Sequence, residues 1–231
     1  MSLLPRSPFS RRYIKQWAAV LWRRPSSVVF MLPWALSRGA NRSAISDEVP
    51  WIPFRAVRWL SRQLGREMRA FEWGSGGSTL FLARRLGEVV SVEHDPTWYA
   101  VVAERLRSSG LSNCKYQLIA PSPAPRDGTR FGSGQRGSTH LDFESYVRAI
   151  ERHPDGYFDL VMIDGRARIA CLNAAWSKVR VGGFILLDNS NYDRYQPHLV
   201  GASGFDRTDI ADVSPYGGDV WTQSTIWRRA R

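Results

Sequence analysis

The sequence predicts an α/β fold, a doubly wound and mostly parallel sheet with helices on both faces. Three observations predict it. Apolar segments of strand length alternate with amphipathic helical segments, a glycine-rich loop follows the first strand segment, and several strand segments end in a carboxylate. The 231 residues suit one large domain, and a hydrophobic content of 43% is ample for its core.

The predicted elements follow one another in a regular order. A first amphipathic helix is entered through Pro53. Strands are predicted at 68–73, 88–93, 115–120, 158–164 and 184–188. Helices between and after them are predicted at 78–86, 96–108, 143–152 and 168–179. In the C-terminal tail, two further alternating strands are joined by a turn at 216–218.

One segment interrupts this alternation. Residues 121–140 are dominated by proline, glycine and serine, and they predict a loop of about twenty residues. Loops of that length in compact domains are usually lids, binding loops or disordered segments. The arginines of this loop, Arg126, Arg130 and Arg136, could approach an anionic substrate, and a merely solvated loop is the alternative.

The N-terminal region differs in composition from the rest of the chain. Residues 1–46 hold eight basic residues and no acidic one, and they predict a helical extension with a short amphipathic helix at 12–23. The α/β domain is assigned to residues 47–231. That part has 24 basic against 21 acidic residues, so the excess charge is concentrated in the extension. We therefore expect no specific nucleic acid as a partner of the folded domain.

The extension allows two interpretations. As a membrane-surface anchor, it would place its cations on anionic lipid and bury Trp17, Trp22 and Phe30 among the headgroups. As a structural cap, it would pack these aromatic side chains on the domain. Pro25 and Pro33 favour the cap, because they interrupt any long surface helix. The sequence leaves both interpretations open.

Composition also indicates in which cellular compartment the protein is expected. The longest apolar stretch, 28–36, has nine residues, whereas a spanning helix needs about 20. Cys114 and Cys171 make neither a disulfide framework nor a metal cluster, which suits a reducing environment. We expect a cytoplasmic protein, peripheral at the membrane surface if the extension is an anchor. The oligomeric state is not determined by the sequence.

The glycine-rich loop after the first strand is the segment that indicates which ligand the chain binds. In "FEWGSGGST", Gly74 and Gly76 let the backbone approach a ligand closely, and Ser78 or Thr79 can cap the following helix. A dinucleotide fingerprint would place glycine or alanine at Thr79, and Glu72 would repel a pyrophosphate. S-adenosylmethionine has no phosphate and carries a sulfonium and an ammonium, which Glu72 would attract. Glu93, at the end of the second strand, can accept ribose hydroxyls in either ligand.

The order of motifs resembles the class I S-adenosylmethionine-dependent methyltransferases. The resemblance rests on "FEWGSGGST", "VVSVEHD", "FDLVMIDG" and "VGGFILLDN". It implies a seven-stranded sheet of order 3-2-1-4-5-7-6 with strand 7 antiparallel. The residues expected around the cofactor are Glu72, Gly74, Ser75, Gly76, Ser78, Thr79, Glu93 and His94. Many members have a carboxylate for adenine after strand 3, where this chain reads Ile119-Ala120-Pro121, so the adenine contact is not assigned.

Polar residues end strands 4 and 5. Asp164, Asp188 and Asn189 are expected to face the methyl group, and three such oxygen ligands suit Mg²⁺. The spacing resembles metal-dependent O-methyltransferases, which also have a lysine three residues beyond the first aspartate. This chain has Ala167 there, so metal binding is undetermined. In the alternative, Asp164 acts as the base or orients the substrate, while Asp188 and Asn189 form local hydrogen bonds.

The resemblance implies methyl transfer from S-adenosylmethionine to an acceptor, and we expect a hydroxyl of a small molecule or glycan. Catalytic roles are predicted for Asp164 and Asp188. Two other functions remain open: a non-catalytic methyltransferase-like scaffold associated with the membrane, and an NAD-dependent oxidoreductase. The polar residues just beyond strand 5 are the predicted acceptor contacts, namely Asn191, Tyr192, Arg194 and Tyr195.

Overall fold

The computed structural model describes residues 11–125, 129–135 and 137–231. Within these ranges the strands are β1 (Arg69–Trp73), β2 (Glu88–Glu93), β3 (Cys114–Leu118), β4 (Ser122–Pro123), β5 (Leu141–Asp142), β6 (Phe158–Ile163), β7 (Val179–Asp188), β8 (Phe205–Val213) and β9 (Trp221–Arg229). Seven of them form one sheet, and β4 pairs with β5 in a separate two-stranded ladder.

The α-helices lie between these strands and before them. They are α1 (Arg11–Arg23), α2 (Met31–Leu36), α3 (Ala44–Asp47), α4 (Phe54–Gln63), α5 (Gly77–Ala83), α6 (Pro96–Ser108), α7 (Glu144–Val147) and α8 (Arg168–Ala175). Short 3₁₀ helices cover Pro25–Phe30, Arg148–Arg152 and Gln196–His198. The predicted alternation of strand and helix is therefore confirmed from β1 onwards.

The strand order of the main sheet is β3-β2-β1-β6-β7-β9-β8. This is the predicted order 3-2-1-4-5-7-6, and β9, the seventh strand, runs antiparallel to both of its neighbours. The pairs from β3 to β7 are parallel. The chain leaves β1 in one direction to β2 and returns to β6 on its other side. The carboxyl ends of β1 and β6 therefore flank the switch point where open α/β sheets bind ligands.

Helices cover both faces of the sheet because the side chains of a strand alternate between them. Along β1, Phe71 and Trp73 pack with Tyr146 and Cys171 on one face. Ala70 points to the other face and packs in a second cluster. That cluster receives side chains of α4, α5 and α6, among them Ala56, Leu80 and Val102.

Several predicted bounds differ from the structure. β7 begins at Val179 rather than 184, and its register with β6 shifts between Phe158 and Leu160. Gly182 continues this strand at φ +82°, a conformation that glycine adopts readily, so the Gly-Gly pair does not mark the strand's beginning. Helix 143–152 is divided into α7 and a 3₁₀ turn, and helix 78–86 ends early, at Ala83.

The predicted loop 121–140 is closed at its base by the β4–β5 ladder. Arg130 of this loop stacks on Phe131, with its guanidinium carbon 4.7 Å from the ring centre. Arg126 and Arg136 lie outside the described residues.

The N-terminal segment packs on the end of β8 and the beginning of β9. Its buried side chains form a cluster with Val213 and Val220, and they are Tyr13, Trp17, Val20, Phe30 and Trp34. Trp34 makes edge-to-face contacts with Tyr13 and Trp17, at ring distances of 5.2 and 5.5 Å. Trp17 and Phe30 therefore have the positions expected of a cap.

Trp22 differs from these aromatic residues, because 87% of its surface is exposed. A charged cluster also joins the segment to the sheet. Asp212 is fully buried, accepts from the Ser27 hydroxyl at 2.7 Å, and pairs with Arg55. In the described part of the chain, no helix combines the length and apolar character needed to cross a bilayer.

The packing of the cap predicts a large loss of stability for one tryptophan of this segment and a negligible one for another. Trp34→Ala removes a buried side chain and should lower the free energy of unfolding by about 3–5 kcal/mol. Trp22→Ala, at an exposed position, should change it by less than about 0.5 kcal/mol. Urea denaturation of both variants measures the difference. Equal stabilities of the two would contradict the described packing.

Candidate active site

The glycine loop after β1 contacts the loop after β6 backbone to backbone. Gly74 has φ +86°, and a Cβ there would lie 2.5 Å from the Cα of Gly165. A Cβ on Gly165 would lie 2.0 Å from the Tyr146 hydroxyl. Only glycine fits at either place, so the two strand ends at the switch point are held in direct contact. A Cβ on Gly76 would have the ring of Trp98, at 3.8 Å, as its only close neighbour, so the space beside Gly76 is otherwise open.

Glu72 is fully buried behind the glycine loop. Its Oε2 accepts hydrogen bonds from the hydroxyls of Thr79 and Ser91, each at 2.6 Å. Its Oε1 has no hydrogen-bond partner among the described residues. Burial raises the pKa of Glu72 to about 7, against the opposing effect of the nearby hydroxyls of Ser78, Ser91 and Thr79. The site therefore contains a buried acceptor suited to a donor of positive charge.

Thr79 links Glu72 to the helix that follows. α5 begins at Gly77, and the Thr79 hydroxyl accepts from the backbone N–H of Gly76 at 3.0 Å. The same hydroxyl donates to Glu72. The prediction that Ser78 or Thr79 is the N-cap was wrong, because the helix begins earlier: Gly76 is the N-cap, and Thr79 supports it from the third helical position. Ser78 is buried beside Glu72.

Glu93 ends β2 with both carboxylate oxygens engaged. Oε2 accepts from the N–H and the hydroxyl of Ser75, at 3.0 and 2.8 Å. Oε1 accepts from the N–H groups of His94 and Asp95, at 2.7 and 2.9 Å. Desolvation alone would raise the pKa of Glu93, but hydrogen bonds from His94, Asp95 and Ser75 lower it to about 2. Glu93 therefore ties the glycine loop to the turn before α6.

Aromatic side chains that the sequence analysis did not identify surround Ser75. The indole N–H of Trp98 donates to the Ser75 carbonyl at 2.8 Å, and the Tyr116 hydroxyl lies 2.7 Å from the Ser75 hydroxyl. Tyr116 stacks on Tyr99 with ring centres 4.5 Å apart. His94 lies against Phe143, 5.7 Å between ring centres. His94 was among the predicted residues, but no motif marks Trp98, Tyr99 or Tyr116; only the pairing of β2 with β3 brings Tyr116 to the loop.

The predicted oxygen ligands Asp164, Asp188 and Asn189 do lie together, and the guanidinium of Arg168 lies among them. Arg168 donates to Asp164 Oδ1 at 2.7 Å and to Asn189 Oδ1 at 3.2 Å. It also donates to the backbone carbonyls of Asp164, Gly165 and Asp188, at 2.7, 3.1 and 2.5 Å. Arg168 itself is only 6% exposed.

This arrangement does not fit a resident divalent cation. A metal at these oxygens would require the guanidinium to leave, and it would then be a buried charge without a partner. The protein's own cation thus occupies the place that the spacing suggested for Mg²⁺. Neither the lysine position at Ala167 nor the pattern of aspartates indicated this, because Arg166 and Arg168 were equivalent in the sequence.

The two aspartates have different surroundings. The Asp164 side chain is 25% exposed, whereas Asp188 is buried and accepts from the Ser224 hydroxyl at 2.8 Å. Burial raises the pKa of both carboxyls, and Arg168 opposes the rise. For Asp188 the neighbouring charge of Asp164 raises it further, to about 7. One guanidinium thus faces two acids whose pKa values are both raised by burial.

A cavity of about 630 Å³ opens beyond the ends of β6 and β7. Asp164, Asp188 and Arg168 lie on one side of it, and Tyr192 and Arg194 are also among its lining residues, as predicted for acceptor contacts. Further lining comes from Trp51, Gln135, Arg166, Asn189, Ser214, Gly217, Gly218, Asp219 and Thr222.

Two predicted acceptor contacts are elsewhere. Tyr195 is buried, and its ring packs in the hydrophobic core rather than facing the cavity. The Asn191 side chain accepts from the N–H of Gln223 at 3.2 Å. The prediction was therefore wrong for Tyr195, and Asn191 has a structural partner instead.

No protein-family model and no curated protein sequence matches this chain. Solved structures do. Cofactor-bound Rv0187 from MTB matches at a TM-score of 0.54 with 21% identity, over 94% of this chain and 90% of that one. The O-methyltransferase from Bacillus cereus in complex with SAH matches at 0.52 with 15% identity, over 83% and 94%. An rRNA methylase from Streptococcus thermophilus matches at 0.52 with 14% identity, over 75% and 93%.

These similarities confirm the predicted fold. The strand order, the antiparallel seventh strand and the helices on both faces define the class I S-adenosylmethionine-dependent methyltransferase fold. At these identities the similarity establishes the fold, and the acceptor of any methyl group must be inferred from the residues of this chain.

The raised pKa of Glu72 predicts a pH-dependent stability. The folded protein keeps this proton up to about pH 7, whereas the unfolded chain releases it near the ordinary pKa of 4.5. The contribution of Glu72 to the free energy of unfolding should therefore fall, by up to about 3 kcal/mol, as the pH rises through that window. Glu72→Gln removes the charge, so its stability relative to the wild type should increase between about pH 5 and pH 8.

Chemical denaturation at several pH values measures this difference. Glu67→Gln, at an exposed glutamate, is the matched control and should show no such trend above about pH 6. A Glu72→Gln difference that stays flat over the same range would show that the buried carboxyl does not titrate there.

Proposed function

We propose that this chain transfers a methyl group from S-adenosylmethionine to a hydroxyl of a small molecule or glycan. The observation that carries the proposal is the contact between the glycine loop and the end of β6. A Cβ on Gly74 would lie 2.9 Å from the carbonyl carbon of Asp164. The loop expected to hold the cofactor thus lies directly beside a partly exposed carboxylate at the mouth of a cavity.

The residues around the loop suit this cofactor. Glu72 offers an unpaired buried oxygen to the ammonium group. A cationic ligand would stabilise the charged form of Glu72, whereas the pyrophosphate of a dinucleotide would not. Gly76 leaves space beside Trp98, and Ser75, Ser78, Thr79 and His94 lie around Glu72 and Glu93. When bound, S-adenosylmethionine supplies a methyl group already activated by its sulfonium. The remaining work of the protein is to align the acceptor and remove its proton.

Asp164 is the residue proposed to accept that proton. Burial raises its pKa towards the range where a carboxylate is an effective base, and Arg168 fixes its orientation through Oδ1. Asp188, shielded behind Ser224, holds a second negative charge or a proton next to the same guanidinium. The proposed step uses no divalent cation, because Arg168 already binds the side-chain oxygens of Asp164 and Asn189, and the Asp188 carboxylate accepts from Ser224.

The acceptor would enter from the cavity side. Tyr192 and Arg194 form one wall, and the guanidinium of Arg194 stacks 4.9 Å from the Tyr192 ring. Trp51, from the N-terminal side of the domain, contributes an apolar surface. One similar structure is an rRNA methylase, but the near-balanced charge of residues 47–231 favours a small acceptor over a nucleic acid.

One observation favours the alternative of a non-catalytic methyltransferase-like protein. All four acceptor positions of the Glu93 carboxylate are used by protein donors. Ribose hydroxyls could bind Glu93 only by displacing the Ser75 hydroxyl, which has Tyr116 as a second partner. If that displacement is too costly, the fold would persist without the activity.

Asp164→Asn should separate cofactor binding from turnover. The amide keeps the shape of the side chain and removes the proton acceptor, so turnover should fall by about 100-fold or more. Affinity for S-adenosylhomocysteine should stay within about twofold, because Asp164 faces the acceptor cavity. The measurements are calorimetry with S-adenosylhomocysteine and formation of that product with a panel of hydroxylated small molecules and glycans. Asp206→Asn, at an exposed position on β8, is the control.

The outcomes distinguish the three functions. Calorimetric binding of NAD in place of S-adenosylhomocysteine would indicate the oxidoreductase. Binding of neither ligand, or cofactor binding without turnover on the whole panel, would favour the non-catalytic protein. Full activity of Asp164→Asn would exclude Asp164 as the base while leaving methyl transfer intact.

A further inference from the structure

The N-terminal segment at 11–36 has two apolar faces, and only one of them packs on the domain. Phe30 and Trp34 are buried, at 2% and 4% exposure. The side chains between and around them point outward, with between 42% and 68% of their surfaces exposed, and they are Val28, Val29, Met31, Leu32 and Leu36. Within α2, Leu32 and Leu36 are four residues apart and share one side of the helix, whereas Trp34 between them is buried against the domain.

α1 shows the same division. Tyr13, Trp17 and Val20 are buried, whereas Ile14 is 58% and Trp22 is 87% exposed. Half of the exposed large hydrophobic side chains in the described residues, seven of fourteen, lie in this segment of 26 residues. Single exposed apolar side chains are normal on protein surfaces, but such a concentration marks an interaction site.

The same segment also exposes positively charged side chains. Arg11 and Lys15 are exposed, and their spacing from Trp22 places all three on the outward side of α1. Arg23 is exposed at the end of the same helix. The sequence of residues 1–46 contains no carboxylate that could neutralise them. The outward surface thus combines apolar side chains, a tryptophan and cations.

We propose that this outward surface binds an anionic lipid bilayer, with Trp22, Val29 and Leu32 among its apolar side chains and Arg11, Lys15 and Arg23 as its cations. The apolar side chains would enter the boundary between headgroups and acyl chains, where tryptophan is favoured. The cations would meet lipid phosphates. A second copy of the chain is disfavoured as occupant, because a twofold contact would bring like charges together without acids to pair them.

The proposal assigns the anchor and the cap to opposite faces of one segment. Trp17 and Phe30 hold the segment on β8 and β9, so they do not reach lipid. A different set of side chains, which includes Trp22 and Leu32, forms the lipid-facing surface. Membrane binding therefore requires no unpacking of the cap, and it is independent of the proposed methyl transfer.

The test is co-sedimentation of the full-length protein with vesicles of phosphatidylcholine, with and without phosphatidylglycerol. The wild type should bind the anionic vesicles at least about tenfold more strongly, and salt should weaken this binding. Two double variants, V29S/L32S and R11Q/K15Q, should each lose about fivefold or more. Val200→Ser, at a side chain 89% exposed outside the segment, is the matched control and should bind like the wild type.

Melting temperatures of all variants should match the wild type, because every altered side chain is exposed. Failure of the wild type to bind anionic vesicles would overturn the proposal. Binding that both double variants retain would overturn it as well. Self-association in sedimentation velocity that V29S/L32S abolishes, without vesicle binding, would show that a second copy covers this surface instead.

Discussion

The guanidinium of Arg168 holds the carboxyl ends of β6 and β7 together, and the candidate active site depends on it. Three backbone carbonyls and two side-chain oxygens accept its hydrogen bonds. A buried cation is stable only with such partners, and the two aspartates are tolerated in the interior only with such a cation. The orientation of Asp164 and the contact between the two strand ends follow from this one side chain.

The cofactor side of the site is organised by two glutamates with opposite electrostatics. Glu72 accepts two hydrogen bonds and its pKa is raised to about 7, whereas Glu93 accepts four and its pKa is lowered to about 2. The number of donors, rather than burial, decides between them, since both are almost inaccessible to solvent. Glu72 is left able to accept a cationic group, and Glu93 fixes the loop that would receive the cofactor.

Periodicity and strand-end residues were sufficient to predict the first half of the main sheet, because β1, β2 and β6 are short, largely apolar runs that end at or beside a carboxylate. They were insufficient at β7, whose early residues resemble a turn although Gly182 lies within the strand. For the strand ends of the site, the sequence predicted which residues lie close together. Which arginine turns inward could not be predicted, because it depends on where α8 begins, and Ala167 precedes that helix in a left-handed conformation at φ 48° that no motif marks. The amphipathic pattern of α1 likewise did not separate Trp17, which is buried, from Trp22, which is exposed.

The central claim is that Arg168 replaces a divalent cation at the strand ends. Titration of Mn²⁺ into the wild-type protein with S-adenosylhomocysteine, followed by electron paramagnetic resonance of the free ion, tests it most directly. The account predicts that the free Mn²⁺ signal is the same with and without the protein. One equivalent of bound Mn²⁺ in the wild type that is lost in Asp164→Asn would contradict it.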